Sequence, residues 1–316
     1  MKTSKILLLS AFLAAACSGR PSAAPETGLP FPQVAVPGVL TDPEERLSWI
    51  CLHFWDALTD TTRTGRSDSL FVSGVDKETV EEQFGLFATL LGNADPQTAD
   101  RAMVRLYERA AACEAHDSTS NVFETAVEFA GKYFYDPNSP VRSEEIYLPF
   151  VEKLAESPHV RPGMRQAYAY DASLCRLNRP GTVAPDFLFR DLQGRAHTLY
   201  GTRTPFTLLL FTNPGCEVCL SVIEMLEESS VLDRLIADGT LSVVNVYIDP
   251  DIDAWKEYAV RYPKTWLSGY DPDGVIRSDL LYAVRAIPSL YLLDGSKTVL
   301  LKDAQPEQMM AAIETI

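Results

Sequence analysis

Positive charge is scarce in this chain. Its 28 Lys and Arg face 43 Asp and Glu, a formal charge of -15, which excludes a general role on nucleic acid, whose phosphates require cations. Histidine is scarcer. His53, His116, His159 and His197 are scattered and none is paired at ligand spacing. Tetrahedral zinc usually takes four ligands, often as two short-spaced pairs, and there is one CxxC without a second, so no metal site is expected. Six cysteines in 316 residues are too few for a dense disulfide framework. What remains is a chain with 46% apolar and 22% charged residues, enough for two well-packed domains.

The apolar stretch at the start is short. Lys2 and Lys5 precede residues 6–16, which are apolar except for Ser10. This reads as a secretory signal, too short for a stable membrane span. Ala14, Ala15 and Ala16 directly before Cys17 resemble the cleavage box of bacterial lipoproteins, although Ala14 stands where that box usually carries Leu. The resemblance implies loss of residues 1–16, lipidation of Cys17, and a lipid anchor in the cell envelope, at the outer membrane and facing the periplasm. Ordinary secretion with cleavage nearby is the other reading. Either way the chain enters a compartment that oxidises thiols.

Residues 17–41 are rich in Gly, Pro, Ala and Ser and read as a flexible tether. Asp42, Pro43 and Glu45 then give a helix start with a capping box. From there apolar residues recur at three and four: Leu47, Ile50, Cys51, Phe54, Trp55 and Leu58; Val80, Phe84, Phe87 and Leu91; Met103, Leu106, Tyr107 and Ala110; Phe123, Ala126, Phe129 and Ala130; Ile146, Tyr147, Phe150 and Leu154. Each stripe needs another helix to bury it, so residues 42–178 are expected to be an all-helical domain. Residues 60–76 are mostly polar and read as a loop, and DPNSPVR at 136–142 is a firm break. Tyr133, Tyr135, Glu144 and Glu145 flank that break and read as ordinary helix-surface residues. Cys51 and Cys113 fall on predicted helices, as buried small residues or partners of each other.

After RPGTVAP at 179–185 the period changes. Residues 186–200 read as a hairpin around Gln193 and Gly194. FTLLLF at 206–211 is almost wholly apolar, as a strand covered on both faces is. A helical pattern over 217–236, a strand at 241–248, a helix at 252–262, strands at 289–293 and 298–302 and a helix at 306–315 make residues 179–316 an α/β domain.

Cys216 and Cys219 stand where the first central strand turns into a helix, in FTNPGCEVCL. Placed at a helix start, Cys216 meets unpaired N–H groups and the positive end of the peptide dipoles, which favour an anion. The thiolate is that anion and the form that attacks a disulfide. Cys219, one turn on, is near enough to resolve the mixed disulfide. Glu217 between them opposes the thiolate by its charge. A structural disulfide closing so short a loop would gain little entropy.

These residues resemble a thioredoxin-fold protein. The resemblance places Ile287 and Pro288, in RAIPSLYLLD, opposite the cysteines, with Pro288 usually cis and the Ile287 backbone offered to a substrate segment; Gly215 and Glu217 complete the docking rim. The whole chain resembles lipoproteins of the Bacteroidales that join a helical domain of unknown function to a thioredoxin-like domain of the envelope oxidoreductases. HFWD at 53–56, YFYDPNSPVRSEEIYLP at 133–149, LNRPGTVAPDF at 177–187, NPGCEVC at 213–219, VYIDPDIDAW at 246–255 and AIPSLYLLDGSKTVLLKDA at 286–304 carry it.

Two departures stand out. Gly215 replaces the tryptophan that precedes the first cysteine of typical thioredoxins, and Leu210 replaces their buried acid. Asp249 and Asp251 read chiefly as strand-end and cap residues. The resemblance implies a periplasm-facing thiol–disulfide oxidoreductase. It uses the Cys216–Cys219 disulfide and no other cofactor, acts on protein or small thiols and disulfides, and in the reducing direction is recharged by a membrane electron donor. A binding or scaffolding lipoprotein with an incidental redox domain is the alternative. A thiol peroxidase is disfavoured, since Thr212 lies four residues before Cys216 rather than three, and Arg285 defines no peroxide pocket.

Overall fold

The structure is a computed structural model that describes residues 28–316. The expected signal segment and Cys17 lie outside the described residues.

The helical half is built as its stripes require. Helices α1 (Pro43–His53), α2 (Lys77–Asn93), α3 (Pro96–His116), α4 (Val122–Ala130), α5 (Glu144–Glu156) and α6 (Pro162–Arg176) follow in order. Asp42 caps α1 by accepting the N–H groups of Glu44 and Glu45. Val80, Phe84, Phe87, Leu91, Met103, Leu106, Phe129, Phe150 and Leu154 meet in one core with Cys51 and Cys175. That core is dense in aromatics: Trp55 packs edge-on to Phe87, and Phe84 touches Phe87, Phe129 and Phe134. Such pairs add to the stabilisation from area alone.

Three expectations are corrected here. The first helix stops at His53, because Asp56 turns back to take His53 Nδ1 at 2.7 Å and the Arg105 guanidinium at 3.0 and 2.8 Å. The supposed loop at 60–76 contains two paired two-residue strands, β1 (Phe71–Val72) and β2 (Val75–Asp76), too short to show alternation in sequence. Residues 28–41 do not hang free. The Leu29 N–H donates to the Gly74 carbonyl at 2.7 Å, Phe31 is buried edge-on against Trp55, and Trp49 Nε1 donates to the Ala35 carbonyl at 3.1 Å.

The second half is one mixed sheet. Strands β3 (Leu188–Arg190), β4 (Ala196–Thr198), β5 (Phe206–Phe211), β6 (Leu241–Tyr247), β7 (Leu267–Tyr270), β8 (Ser289–Asp294) and β9 (Val299–Leu301) lie in the order β4-β3-β7-β6-β5-β8-β9. β5 is central, parallel to β6 and antiparallel to β8. Its alternating residues divide between the faces. Leu208 and Leu210 pack with Val222, Ile223 and Leu226, while Leu209 and Phe211 pack with Phe187, Tyr282 and Tyr291. Both faces are therefore dry, which explains the almost wholly apolar run.

The helices α7 (Glu217–Glu227), α8 (Ser230–Ala237), α9 (Ile252–Ala259), α10 (Val275–Ser278) and α11 (Pro306–Glu314) cover the sheet. The single helix expected over 217–236 is two, because the Ser229 side chain accepts the Leu232 N–H and starts α8 afresh. β7 and α10 were not legible in the sequence. Gly269 sits in β7 where a β-carbon would lie 2.5 Å from the Phe189 ring, so the strand lacks an alternating signature.

Candidate functional site

Cys216 is the N-cap of α7. Gly215 holds φ +73° immediately before it, a left-handed conformation that costs any residue with a β-carbon. The Cys216 N–H donates to the Asn213 carbonyl at 3.4 Å, and Leu220 N–H donates back to the Cys216 carbonyl at 3.0 Å. The Cys219 backbone N–H points at Cys216 Sγ, 3.1 Å away. That donor would support a thiolate as readily as the disulfide sulfur it faces here. Cys216 and Cys219 are joined as a disulfide with their α-carbons 5.2 Å apart.

The two sulfurs differ in access. Cys216 is half-buried, whereas Cys219 is 1% exposed. An incoming group therefore meets Cys216 first. Gly215, Glu217 and Val218 around it are exposed. Across the mouth lies Ile287-Pro288, a cis peptide, with the Ile287 carbonyl oxygen 4.0 Å from Cys216 Sγ. Pro288 leads directly into β8, which is paired on both sides, to β5 and β9, so it does not stand on a sheet edge. The structure thus brings Gly215, Cys216, Glu217, Cys219, Ile287 and Pro288 to one place.

Asp249 is more than a strand-end residue. Its carboxylate accepts from Asn213 Nδ2 at 2.5 Å and pairs with Arg277 at 3.0 Å, so it steadies the turn that ends in Cys216. Asn213 was the signal that sequence reading passed over. Asp251 is a cap, accepting the Ala254 N–H. Under the site, Leu210 is fully buried among apolar side chains. Two residues on, just past the end of β5, Thr212 Oγ1 donates to Asn245 Oδ1 at 2.7 Å, with Tyr262 Oη 3.4 Å away. Neutral groups occupy this face of the strand where an acid is usual.

The remaining cysteines are separate. Cys51, Cys113 and Cys175 are free and buried, which decides against a Cys51–Cys113 bond. Burial pushes the Cys51 thiol up to about 11 and the Cys175 thiol up to about 12, the latter with help from Glu144. Alkylation of the native, reduced chain near neutral pH is accordingly expected to label Cys216 and to leave these three untouched, as peptide mass mapping would show.

A family described as a domain of unknown function, DUF5106, matches residues 13–178. The chain belongs to the DUF5106 family. A thioredoxin-like protein from Bacteroides caccae is 31% identical, with 92% of this chain and 99% of that one aligned at a TM-score of 0.81. It shares both halves of the DUF5106 chain, helical domain and thioredoxin-like sheet. The C-terminal domain of an uncharacterised Bacteroides fragilis protein is 42% identical over 43% of this chain and 98% of its own, with a TM-score of 0.42. No curated protein matches the sequence. The second half of this DUF5106 chain has a thioredoxin-like fold and carries a close CxxC pair at the start of a helix.

Among the described residues, no three His, Cys, Asp or Glu side chains converge as metal ligands, and no helix is long and apolar enough to cross a membrane. His53 and His197 are each held by an aspartate, at 2.7 and 2.9 Å.

Proposed function

We propose that this protein is a thiol–disulfide oxidoreductase, held by lipid on Cys17 in the cell envelope and facing the periplasm. The observation that carries the reading is Cys216 Sγ at the open start of α7, facing Ile287-Pro288, with Cys219 buried one turn behind.

In the reducing direction the Cys216 thiolate attacks one sulfur of a partner disulfide. A Cys216–partner S–S bond forms, the partner's own S–S bond breaks, and its second sulfur leaves as a thiolate. Cys219, having lost its proton to solvent, then attacks Cys216 Sγ and releases the first partner sulfur. Two electrons have passed to the partner and the pair is oxidised. A dithiol donor restores it by the same steps in reverse order. Ile287 offers backbone groups to an extended partner segment, and Gly215 and Glu217 form the rim across from it.

Removing the resolving thiol tests this. Cys219→Ala is expected to accumulate covalent partners on Cys216, released by reductant and visible on non-reducing gels from periplasmic extracts. An empty trap would favour the scaffolding alternative, which draws its support from fully buried Leu210 in place of an acid. The peroxidase reading loses its arginine, because Arg285 is bound by Glu144 and by the Tyr135 carbonyl.

A further inference from the structure

The segment 281–289, which presents Ile287 and Pro288 to Cys216, is gripped by the helical domain and by the residue that joins the two halves. Asn178, at φ +52°, donates through Nδ2 to the Leu281 carbonyl at 2.8 Å and accepts the Ala283 N–H at 3.3 Å. Arg285 Nε donates to Glu144 Oε1 at 2.6 Å, its Nη1 to the Tyr135 carbonyl at 2.6 Å, and its guanidinium lies 3.9 Å over the Tyr135 ring. Lys302 reaches the other oxygen of Glu144 at 2.5 Å and donates to the Leu177 carbonyl at 2.6 Å.

Beyond the proline the grip continues. Ser289 Oγ donates to Asp303 Oδ1 at 2.8 Å. Arg142 Nη2 donates to the Asp303 carbonyl at 3.1 Å, and its Nε is 3.3 Å from Asp303 Oδ2. Glu144, Lys302 and Asp303 have side chains no more than 9% exposed. Charges that are buried and paired hold one geometry, because a shifted partner leaves the other uncompensated. Ile287 and Pro288 thus lie between two anchors, Arg285, bound directly by the helical domain, and Ser289, linked to it through Asp303.

We propose that Glu144 and Arg142 are positioning residues for the exchange site, with Glu144 acting through Arg285, and Arg142 through Asp303 and Ser289, to set where an extended partner segment pairs beside Cys216. This rests on the exchange reading above and gives the helical domain its part in it. A partner that must lie along Ile287 needs both anchors. A small disulfide that reaches Cys216 Sγ without that pairing needs them far less.

The test uses the full chain and two oxidants, dithiobis(nitrobenzoate) and a disulfide-cyclised peptide. Glu144→Gln, Arg142→Gln and Ser289→Ala are each expected to lower the ratio of peptide rate to small-disulfide rate about tenfold, as a misplacement of an ångström or less can do. Loss of stability alone would scale both rates together and leave the ratio unmoved. Should Glu144→Gln fail to fold, Ser289→Ala removes one hydroxyl and still reads the ratio. An active wild type whose ratio is unchanged in the folded variants overturns the positioning role alone. A wild type inert toward both disulfides overturns the exchange reading and the positioning role with it.

Discussion

Cys216→Ser is expected to reduce exchange with any disulfide on the order of a thousandfold, to the background rate. A serine hydroxyl at the same helix start is not ionised near neutral pH and forms no bond to sulfur that Cys219 could resolve. The fold should be unaffected. Cys216 is half-buried at a cap, and serine is a preferred N-cap residue that can accept the Cys219 N–H as the sulfur does. Full loss of turnover with an unchanged unfolding midpoint, measured on the reduced proteins, is the predicted pair of results. Residual turnover close to wild type would move the chemistry elsewhere, although the four other described cysteines, Cys51, Cys113, Cys175 and Cys219, are all buried.

Leu210→Asp, which restores an acid at the position typical of thioredoxins, is expected to destabilise the protein by about 3–5 kcal/mol at neutral pH, the cost of an uncompensated buried charge, with the loss of leucine packing in addition. Leu210 is fully buried in β5, between Asn245 on β6 and Leu290 on β8, in a cluster with Val222, Ile223 and Leu226. Burial raises the folded-state pKa of the new carboxyl above its unfolded value of about 4. The charge-related part of the penalty is therefore absent below that value and grows as pH rises through it. Denaturant unfolding of both proteins between about pH 4 and pH 8 should show the gap widening upward. A gap of constant size would mean that water or a cation already reaches this face of the strand, and that the neutral Thr212, Asn245 and Tyr262 group is not what fills it.

The core of the exchange site was legible because its parts are local. An apolar run and two cysteines at a helix start all lie within residues 206–219, whereas Pro288 was placed opposite them only by the resemblance, and the left-handed Gly215 came from the structure. The helical domain was legible as stripes for the same reason. What escaped is non-local. Glu144 at the start of α5 has the sequence of an exposed helix residue, yet its side chain is 6% exposed, because it closes on Arg285 and Lys302, more than 140 residues away in the chain. Arg142 and Asp303 are alike in this. Asn213 reads as a turn residue until Asp249 is found against it. A single sequence carries no record of which charges meet across a domain boundary. The break at 136–142 could be read as punctuation but not as the edge that reaches the other half. The two-residue strands at 71–76 escaped because a period of two needs more residues than they have.

The exchange mechanism needs the start of α7 to favour a sulfur anion on Cys216 in the reduced protein. Its most direct test is the rate of Cys216 alkylation by iodoacetamide in the native, reduced Cys219→Ala chain at about pH 6, compared with the same chain unfolded in denaturant at the same pH, where a free thiol is almost wholly protonated. A native rate at least about tenfold above the unfolded one is expected, since the helix start raises the thiolate fraction. A native rate equal to or below the unfolded rate would show that the helix start does not favour the anion, and would contradict the exchange mechanism.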